Sequence, residues 1–321
     1  MHIDLEIQAA ARGGVFTRGE VLATGYTDDD IKHLVRSGDW RRVRRGRFVT
    51  SDAWNAADEV QRLAMRCHAC VVTGRRCVLS HETAATLSHL PVVLPHAAPV
   101  DDDLIHLTVP TPRGSRPRVR SRAHVAAVPE HHRALAHGLV VTSPLRTALD
   151  LARRYGELTG VVAADAALNR GAQLDELRDM VEETAHWPGA SHTRRLAELT
   201  DAGSQSPGET VSRLIVAALG LGPVTTQARI EHGNRHADVD LLLGRLVIEF
   251  DGRSKYGDLR RFGRDRTPEE LLWDEKQRED WLRSLGYTVV RLTWSDLWPP
   301  RREATIRMLR EKFFLAERAP V

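Results

Sequence analysis

Four carboxylates lie on a predicted β-hairpin in the segment DVDLLLGRLVIEFDG. Its central Gly-Arg pair fits a two-residue type II′ turn, which requires glycine at the first position. That turn places Asp240 opposite Glu249 and Asp238 opposite Asp251, and the alternation of strand side chains puts all four carboxylates on one face. Like charges that face each other destabilise a sheet, whereas Mg²⁺ or Mn²⁺ binds carboxylate oxygens well. The pattern favours a divalent-metal site; alternatively, Asp238 and Asp251 are solvated strand ends.

Predicted helices and strands alternate around this hairpin. The predicted helix GETVSRLIVAALG, which contains Glu209, precedes it, and apolar residues on both sides of the turn indicate central, buried strands. A charged loop (RSKYGDLRRFGRDRTPEE), a helix (LLWDEKQREDWLRSLG), a strand (YTVVRLTW) and a last arginine-rich helix follow. We therefore expect a helix, the hairpin, a loop and then helix, strand and helix.

The hairpin resembles the PD-(D/E)xK nuclease superfamily, and LVIEFDG followed by EKQREDWLRSLGYTVVRLTW is similar to very-short-patch-repair-endonuclease-like domains. The resemblance covers about 205–300 and implies a restriction-endonuclease-like fold. It implies that Asp240 and Glu249 are metal ligands, that Asp251 is an additional ligand, and that Glu209 is the supporting acid on the helix. The lysine usual two places after the second acid is absent, because Asp251 stands there.

The activity that this resemblance implies is hydrolysis of DNA phosphodiesters. A bound metal would lower the pKa of a water molecule and neutralise charge on the scissile phosphate. Lys255 or Arg278 would act as a positive clamp on the transition state, with Lys276 as another source of positive charge. The arginines of the charged loop would contact the DNA backbone; the alternative is a solvated loop.

Three short predicted helices followed by a basic hairpin at the N-terminus give the order of a winged helix-turn-helix. Thr17 is a predicted N-cap with Glu20 at capping-box spacing. Thr27 is a predicted N-cap with Asp28, Asp29 and Asp30 in the first turn of its helix. Lys32 and Arg36 on the third helix are expected to face DNA. The candidate wing is WRRVRRGRFVT, whose arginines suit phosphate recognition: Arg41, Arg42, Arg44, Arg45 and Arg47. Against DNA binding, Asp28 to Asp30 would repel phosphate.

This N-terminal unit, together with SHETAATLSHLP and VVTSPLRTALDLAR, resembles the AbiEi-type antitoxins of type IV toxin–antitoxin systems across about 1–155. The resemblance implies a winged helix that binds its own promoter. Within this region, RPRVRSRAH has an arginine at every second position, which would align Arg116 and Arg118 with Arg120 and Arg122 on one strand face. That face would track phosphates or, equally well, keep an edge strand soluble.

Length, charge and composition limit which functions and cellular locations are expected. The chain has 321 residues with a net charge of +3, so a nucleic-acid interface must come from local clustering of charge. Cys67, Cys70 and Cys77 suggest buried thiols in a reducing compartment; the alternative is a zinc site that these cysteines form with His81. The remaining histidines show no metal-ligand spacing with acids. No secretory signal or apolar run long enough for a membrane span occurs, so we expect a cytoplasmic protein with no membrane association.

Together these patterns predict an α/β (α+β) protein in three parts: a winged helix-turn-helix (1–54), a central mixed α/β domain (55–200) and a restriction-endonuclease-like domain (204–321). The first hypothesis is a Mg²⁺- or Mn²⁺-dependent DNA endonuclease or nickase targeted by its own winged helix. The second is a non-catalytic, antitoxin-like regulator with a degenerate nuclease fold, and a third, weaker one is a protein-interaction module. Double-stranded DNA is the expected partner; a homodimer and a toxin or repair partner stay open.

Overall fold

The computed structural model describes residues 2–71, 77–94, 104–110, 120–252 and 268–318. Helices and strands are mixed along the whole chain, which confirms the predicted fold class. The chain folds into two compact units. The first unit is Met1–Ala164 with Asp175–Leu196, and the second is Asp165–Leu174 with Ala197–Val321. The finer, three-part division stays a prediction.

The first unit begins with the predicted winged helix-turn-helix order. Its elements are α1 (Ile3–Ala10), β1 (Phe16–Thr17), α2 (Arg18–Ala23), α3 (Asp28–Ser37), β2 (Trp40–Arg44) and β3 (Arg47–Thr50). The three strands form a sheet of order β1-β3-β2. Phe16, Trp40 and Phe48 are buried at its centre, and Phe16 meets Trp40 edge to face with ring centroids 4.8 Å apart. Aromatic rings of this size supply most of the apolar area that a small unit can bury.

The rest of the first unit surrounds a five-stranded sheet of order β6-β5-β4-β8-β7. Its elements, some of which extend into the second unit, are α4 (Ser51–Ala56), α5 (Glu59–Val71), β4 (Val78–Leu79), α6 (His81–Leu87), β5 (Ile105–Val109), β6 (Ser121–Val125), β7 (Arg133–Ala136), β8 (Leu139–Thr142), α7 (Pro144–Tyr155), α8 (Glu157–Leu168), α9 (Leu174–Glu183) and α10 (Leu196–Leu199). Leu63, Cys67, Leu79 and Val141 belong to one apolar core between α5 and the sheet. The two cysteines of α5 are buried thiols, as the sequence indicates.

The second unit contains a four-stranded sheet of order β12-β11-β10-β9. Its elements are α11 (Pro207–Ala217), β9 (Thr225–His232), β10 (Arg235–Leu243), β11 (Leu246–Phe250), α12 (Pro268–Ser284), β12 (Thr288–Leu292) and α13 (Arg302–Arg318). The β11 and β12 strands run parallel and the other pairs run antiparallel. The predicted helices and strands follow in the predicted order, with β9 as an additional strand that the sequence analysis missed. The predicted charged loop lies almost entirely in 253–267, outside the described residues.

The hairpin β10–β11 has the predicted register. Leu243 pairs with Leu246 and Leu241 with Ile248. Gly244 has φ of 57°, a left-handed conformation that glycine adopts without strain. Most apolar residues beside the turn, Leu243 and Leu246 among them, are buried, and the two strands of the hairpin are the central strands of their sheet. None of the described helices is long and apolar enough to cross a bilayer.

Candidate nucleic-acid interface and acidic hairpin

Capping boxes fix the N-termini of α2 and α3. The sequence predicts both caps, and it predicts the capping box for α2. The Thr17 hydroxyl accepts from the Glu20 amide at 3.1 Å, and Glu20 accepts from the Thr17 amide at 2.8 Å. The same reciprocal pair joins Thr27 and Asp30. These bonds satisfy amide groups that a helix start leaves without partners, so both helices of the helix-turn-helix begin at defined residues.

Acidic residues in the first turn of α3 are balanced by nearby cations. The Arg18 side chain donates to Asp28, with Nε 2.7 Å from Oδ1, and this bond lowers the pKa of the carboxyl group. Lys32 lies 2.8 Å from Asp29. These ion pairs therefore reduce the repulsion of phosphate that the sequence analysis expects from the acids. Lys32, a predicted DNA contact, is itself paired with Asp29.

The polar face of α3 is exposed. Lys32, His33 and Arg36 point to solvent, whereas Ile31 is buried in the winged-helix core. The Arg36 Nε group donates to the Lys32 carbonyl at 3.3 Å, which leaves the remaining guanidinium N–H groups outward. The helix thus presents hydrogen-bond donors on the side away from the core.

The hairpin β2–β3, with Gly46 in its turn, forms the wing. Arg41, Arg42 and Arg45 are exposed, and Arg44 and Arg47 are half-buried. Arg41 packs over the Trp54 ring at 4.7 Å, and Arg42 lies 5.8 Å from the centre of Phe48. Such stacking orients a guanidinium group without neutralising it.

In the described part of the chain, no carboxylate forms an ion pair with any of the five wing arginines. The wing is therefore a concentration of uncompensated positive charge around the turn at Gly46. Arg116 and Arg118 lie outside the described residues. Arg120 has φ of 61° and precedes β6, so it does not extend a regular alternating face with Arg122.

On the acidic hairpin, arginines take the place of the expected cation. Asp238 pairs across the strands with Arg229 at 2.9 Å, on an exposed face. Glu249 lies 2.6 Å from Arg278 and 3.6 Å from Arg291. Arg291 faces Glu249 in the parallel register between β11 and β12. Guanidinium groups thus offset the charge repulsion from which the sequence analysis inferred a metal.

The Arg278 side chain is engaged on both sides. Besides Glu249, it donates to the Asp238 carbonyl at 2.6 Å, so it ties α12 to the hairpin. Its predicted role as a clamp on phosphate would require release from Glu249. The sequence analysis missed Arg229 and Arg291, since both act through strand pairing that only the sheet order reveals. Lys255 lies outside the described residues.

Glu209 and Asp240 are brought near each other, as the superfamily resemblance implies. Glu209 is buried near the start of α11, where it accepts from the Gln205 amide at 2.8 Å and from Gln227 at 3.2 Å. Burial raises the pKa of Glu209, and the negative charge of Asp240 raises it further. Asp240 itself accepts from the Phe250 amide at 2.8 Å.

Nevertheless, the predicted metal ligands Asp240, Glu249 and Asp251 do not form a compact ligand group. Over the residues that the structure describes, two groups of three side chains bring their ligand atoms within 4.8 Å of one another, and neither contains an acid from this hairpin. The residues as arranged therefore do not fit a Mg²⁺ or Mn²⁺ ion, and a metal at this site stays a prediction.

Comparison with known families gives two matches. Residues 5–49 match the family described as a transcriptional regulator, AbiEi antitoxin, and residues 76–202 match the AbiEi antitoxin C-terminal domain. No curated protein matches the chain. The antitoxin resemblance is thereby confirmed. The sheet that carries the acidic hairpin lies beyond both matched ranges, so the nuclease resemblance is not shown.

Proposed function

We propose that this chain, which belongs to the AbiEi antitoxin family over residues 5–49 and 76–202, is a DNA-binding transcriptional regulator. The observation that carries the proposal is the wing. Its arginines have no carboxylate partner among the described residues, whereas the nearby Arg18 and Lys32 are both paired with acids. Guanidinium groups without a carboxylate partner are suited to DNA phosphates.

In this proposal the two elements have different tasks. The exposed face of α3 enters the major groove, where Arg36 and His33 reach base edges. The wing lies along the backbone and fixes the position of the protein. The promoter of its own gene is the first target to test, with a homodimer on a symmetric site and a cognate toxin as further partners.

The test compares DNA from the chain's own promoter with a scrambled fragment of equal length. Fluorescence anisotropy on the full chain should give tighter binding to the promoter, and Arg36→Ala should lower the ratio of the two affinities by about tenfold, the effect of losing a good base contact. The matched control is Arg178→Ala, which removes an exposed arginine on α9. Equal binding to both fragments by the wild type would refute a sequence-specific regulator.

A second candidate function is the metal-dependent DNA endonuclease or nickase of the superfamily resemblance. One observation favours it, namely that Glu209 and Asp240 approach closely enough for the charge of one to raise the pKa of the other. The arginines held by Glu249 weigh against it.

Plasmid relaxation and linearisation in Mg²⁺ or Mn²⁺ separate the two candidates. If the chain is an endonuclease, the wild type should cleave the plasmid, and each of the variants Asp240→Asn and Glu249→Gln should not. Asp238→Asn is the control, because Asp238 is an exposed acid of the same hairpin whose carboxylate is paired with Arg229. Absence of cleavage by the wild type, with promoter binding intact, leaves the regulator as the function.

A further inference from the structure

Three histidines meet in the central mixed α/β segment, a grouping that the sequence analysis did not predict. His81 begins α6, His106 lies on β5 and His124 on the neighbouring β6. One ring nitrogen of each lies within 4.8 Å of the other two. His81 and His106 are buried, and His124 is half-buried.

The rings are arranged as a pair with a third ring stacked on it. His106 Nδ1 lies 2.9 Å from His124 Nε2, with the planes only 20° apart, so the two rings meet edge to edge. His81 stacks on the face of His124 with ring centroids 3.7 Å apart. His81 also has φ of 53°, a left-handed conformation that a non-glycine residue adopts only under local constraint.

The surroundings favour the neutral form of His81 and of His124. Burial, together with the positive charge that each ring would place on its neighbours, lowers the pKa of His81 well below its ordinary range and that of His124 to about 4. A neutral imidazole has one nitrogen lone pair, which is the form that binds metal ions. Only one proton can lie between His106 Nδ1 and His124 Nε2. At least one of these two nitrogens therefore has a lone pair.

Polar groups around the rings resemble the outer contacts of a metal site. The Thr108 hydroxyl donates to Ser80 Oγ at 2.8 Å, and Ser80 Oγ lies 2.9 Å from His81 Nδ1. When His81 donates from Nδ1 to this oxygen, its Nε2 is left for a metal, which is the usual way that a ligand histidine is oriented.

A carboxylate completes the surroundings. Glu82 Oε2 lies 3.4 Å from His106 Nδ1 and makes no hydrogen bond within the described residues. The other oxygen of Glu82 is 3.1 Å from Arg154 and accepts from the Tyr155 hydroxyl. The carboxylate therefore balances the nearby guanidinium and directs its second oxygen at the histidines.

The other histidine group lacks this chemistry. His131, His132 and Glu183 also lie close together, but Arg146 donates to His132 Nδ1 at 3.1 Å. Because arginine only donates, His132 must carry its proton on Nε2, the atom that faces Glu183. That nitrogen has no lone pair for a metal, whereas the cluster on β5 and β6 has several.

We propose that His81, His106 and His124 bind a first-row transition-metal ion, with Zn²⁺ as the best candidate, in a three-imidazole site whose fourth position takes water or Glu82. Zinc bonds imidazole nitrogen at about 2.0–2.1 Å in a tetrahedron, which requires ligand nitrogens about 3.3 Å apart. The His106–His124 pair must open by about 0.4 Å from its 2.9 Å separation. His81 must rotate out of its stack on His124. The site goes beyond the proposed DNA-binding function and does not depend on it.

The test is a Co²⁺ titration of the full chain. Bound metal is first stripped with EDTA, and the EDTA is then removed. We expect one equivalent of Co²⁺ to give the intense visible absorption of a four-coordinate ion, and Zn²⁺ to displace it. Each of His106→Gln and His124→Gln should weaken binding by at least about tenfold, since even outer-shell losses cost that much. His131→Gln, from the second histidine group, is the matched control and should bind as the wild type does.

Circular dichroism establishes that the variants fold. Should they unfold, X-ray absorption of the wild-type zinc complex gives an independent answer, with a nitrogen shell showing imidazole scattering expected. A sulfur shell would assign the metal to the cysteines of α5 and overturn the proposal. The absence of Co²⁺ uptake by folded wild type, or uptake unchanged in both variants, would overturn it as well.

Discussion

Removal of two wing arginines should flatten the salt dependence of DNA binding. In the double variant Arg44→Ala/Arg45→Ala the wing keeps its backbone and its stacked neighbours Arg41 and Arg42, but loses two guanidinium groups that no described carboxylate neutralises. If both groups contact phosphates, their loss reduces the number of counterions that binding releases.

The magnitude follows from the number of phosphates contacted. Each neutralised phosphate contributes about 0.9 to the slope of log affinity against log salt concentration, so two lost contacts lower the slope by about 1.8. Between about 50 and 200 mM salt, the ratio of wild-type to variant affinity should therefore shrink by about twelvefold. A purely structural role for these arginines would give a ratio that does not change with salt.

Fluorescence anisotropy over a series of salt concentrations measures both slopes on the same labelled DNA. Arg178→Ala should keep the wild-type slope, because its guanidinium group is paired with Asp175 at 2.6 Å and lies outside the wing. Equal slopes for the wild type and the double variant, at unchanged thermal stability, would refute phosphate contact by the wing.

Two further predictions concern buried titratable side chains. Asp165→Asn removes the partner of the buried Arg213, which lies 2.9 Å away, and should lower the free energy of unfolding by about 3 kcal/mol in urea denaturation; the exposed Asp175→Asn should cost less than about 1 kcal/mol. For His132, burial and the charge of Arg146 lower the pKa from 6.5 to about 4. The unfolded chain then binds the proton more readily, so stability is lost as pH falls below 6.5, by about 1–2 kcal/mol at pH 5. The His132→Gln variant should lose less stability between pH 6.5 and pH 5 than the wild type does. An equal loss in both proteins would contradict the lowered pKa of His132.

Local sequence signals predicted the elements that depend on near neighbours in the chain. Thr17 and Thr27 begin helices because their hydroxyl groups meet amide groups three residues on. The turn at Gly244 fixes the hairpin register because a two-residue loop admits one pairing of the strands. The wing at Gly46 follows from the same kind of signal.

Short strands gave weaker signals. β7 pairs over only four residues. β9 is joined to β10 by the two-residue turn Gly233-Asn234, but it has no apolar run that would mark it before the sheet is known. Sequence patterns report local preference, whereas these strands exist because a neighbouring strand offers hydrogen bonds.

By itself, the sequence determined the winged helix, the caps, the hairpin register and the clustering of arginines around Gly46. Only the tertiary structure decided which charges meet. It placed Arg291 beside Glu249 through a parallel pairing across some 40 residues of chain, and gathered His81, His106 and His124 from three separate elements. The physical reason is that hydrogen bonds within a turn or helix end depend on a few adjacent residues, whereas the electrostatic environment of a side chain depends on every element that packs against it.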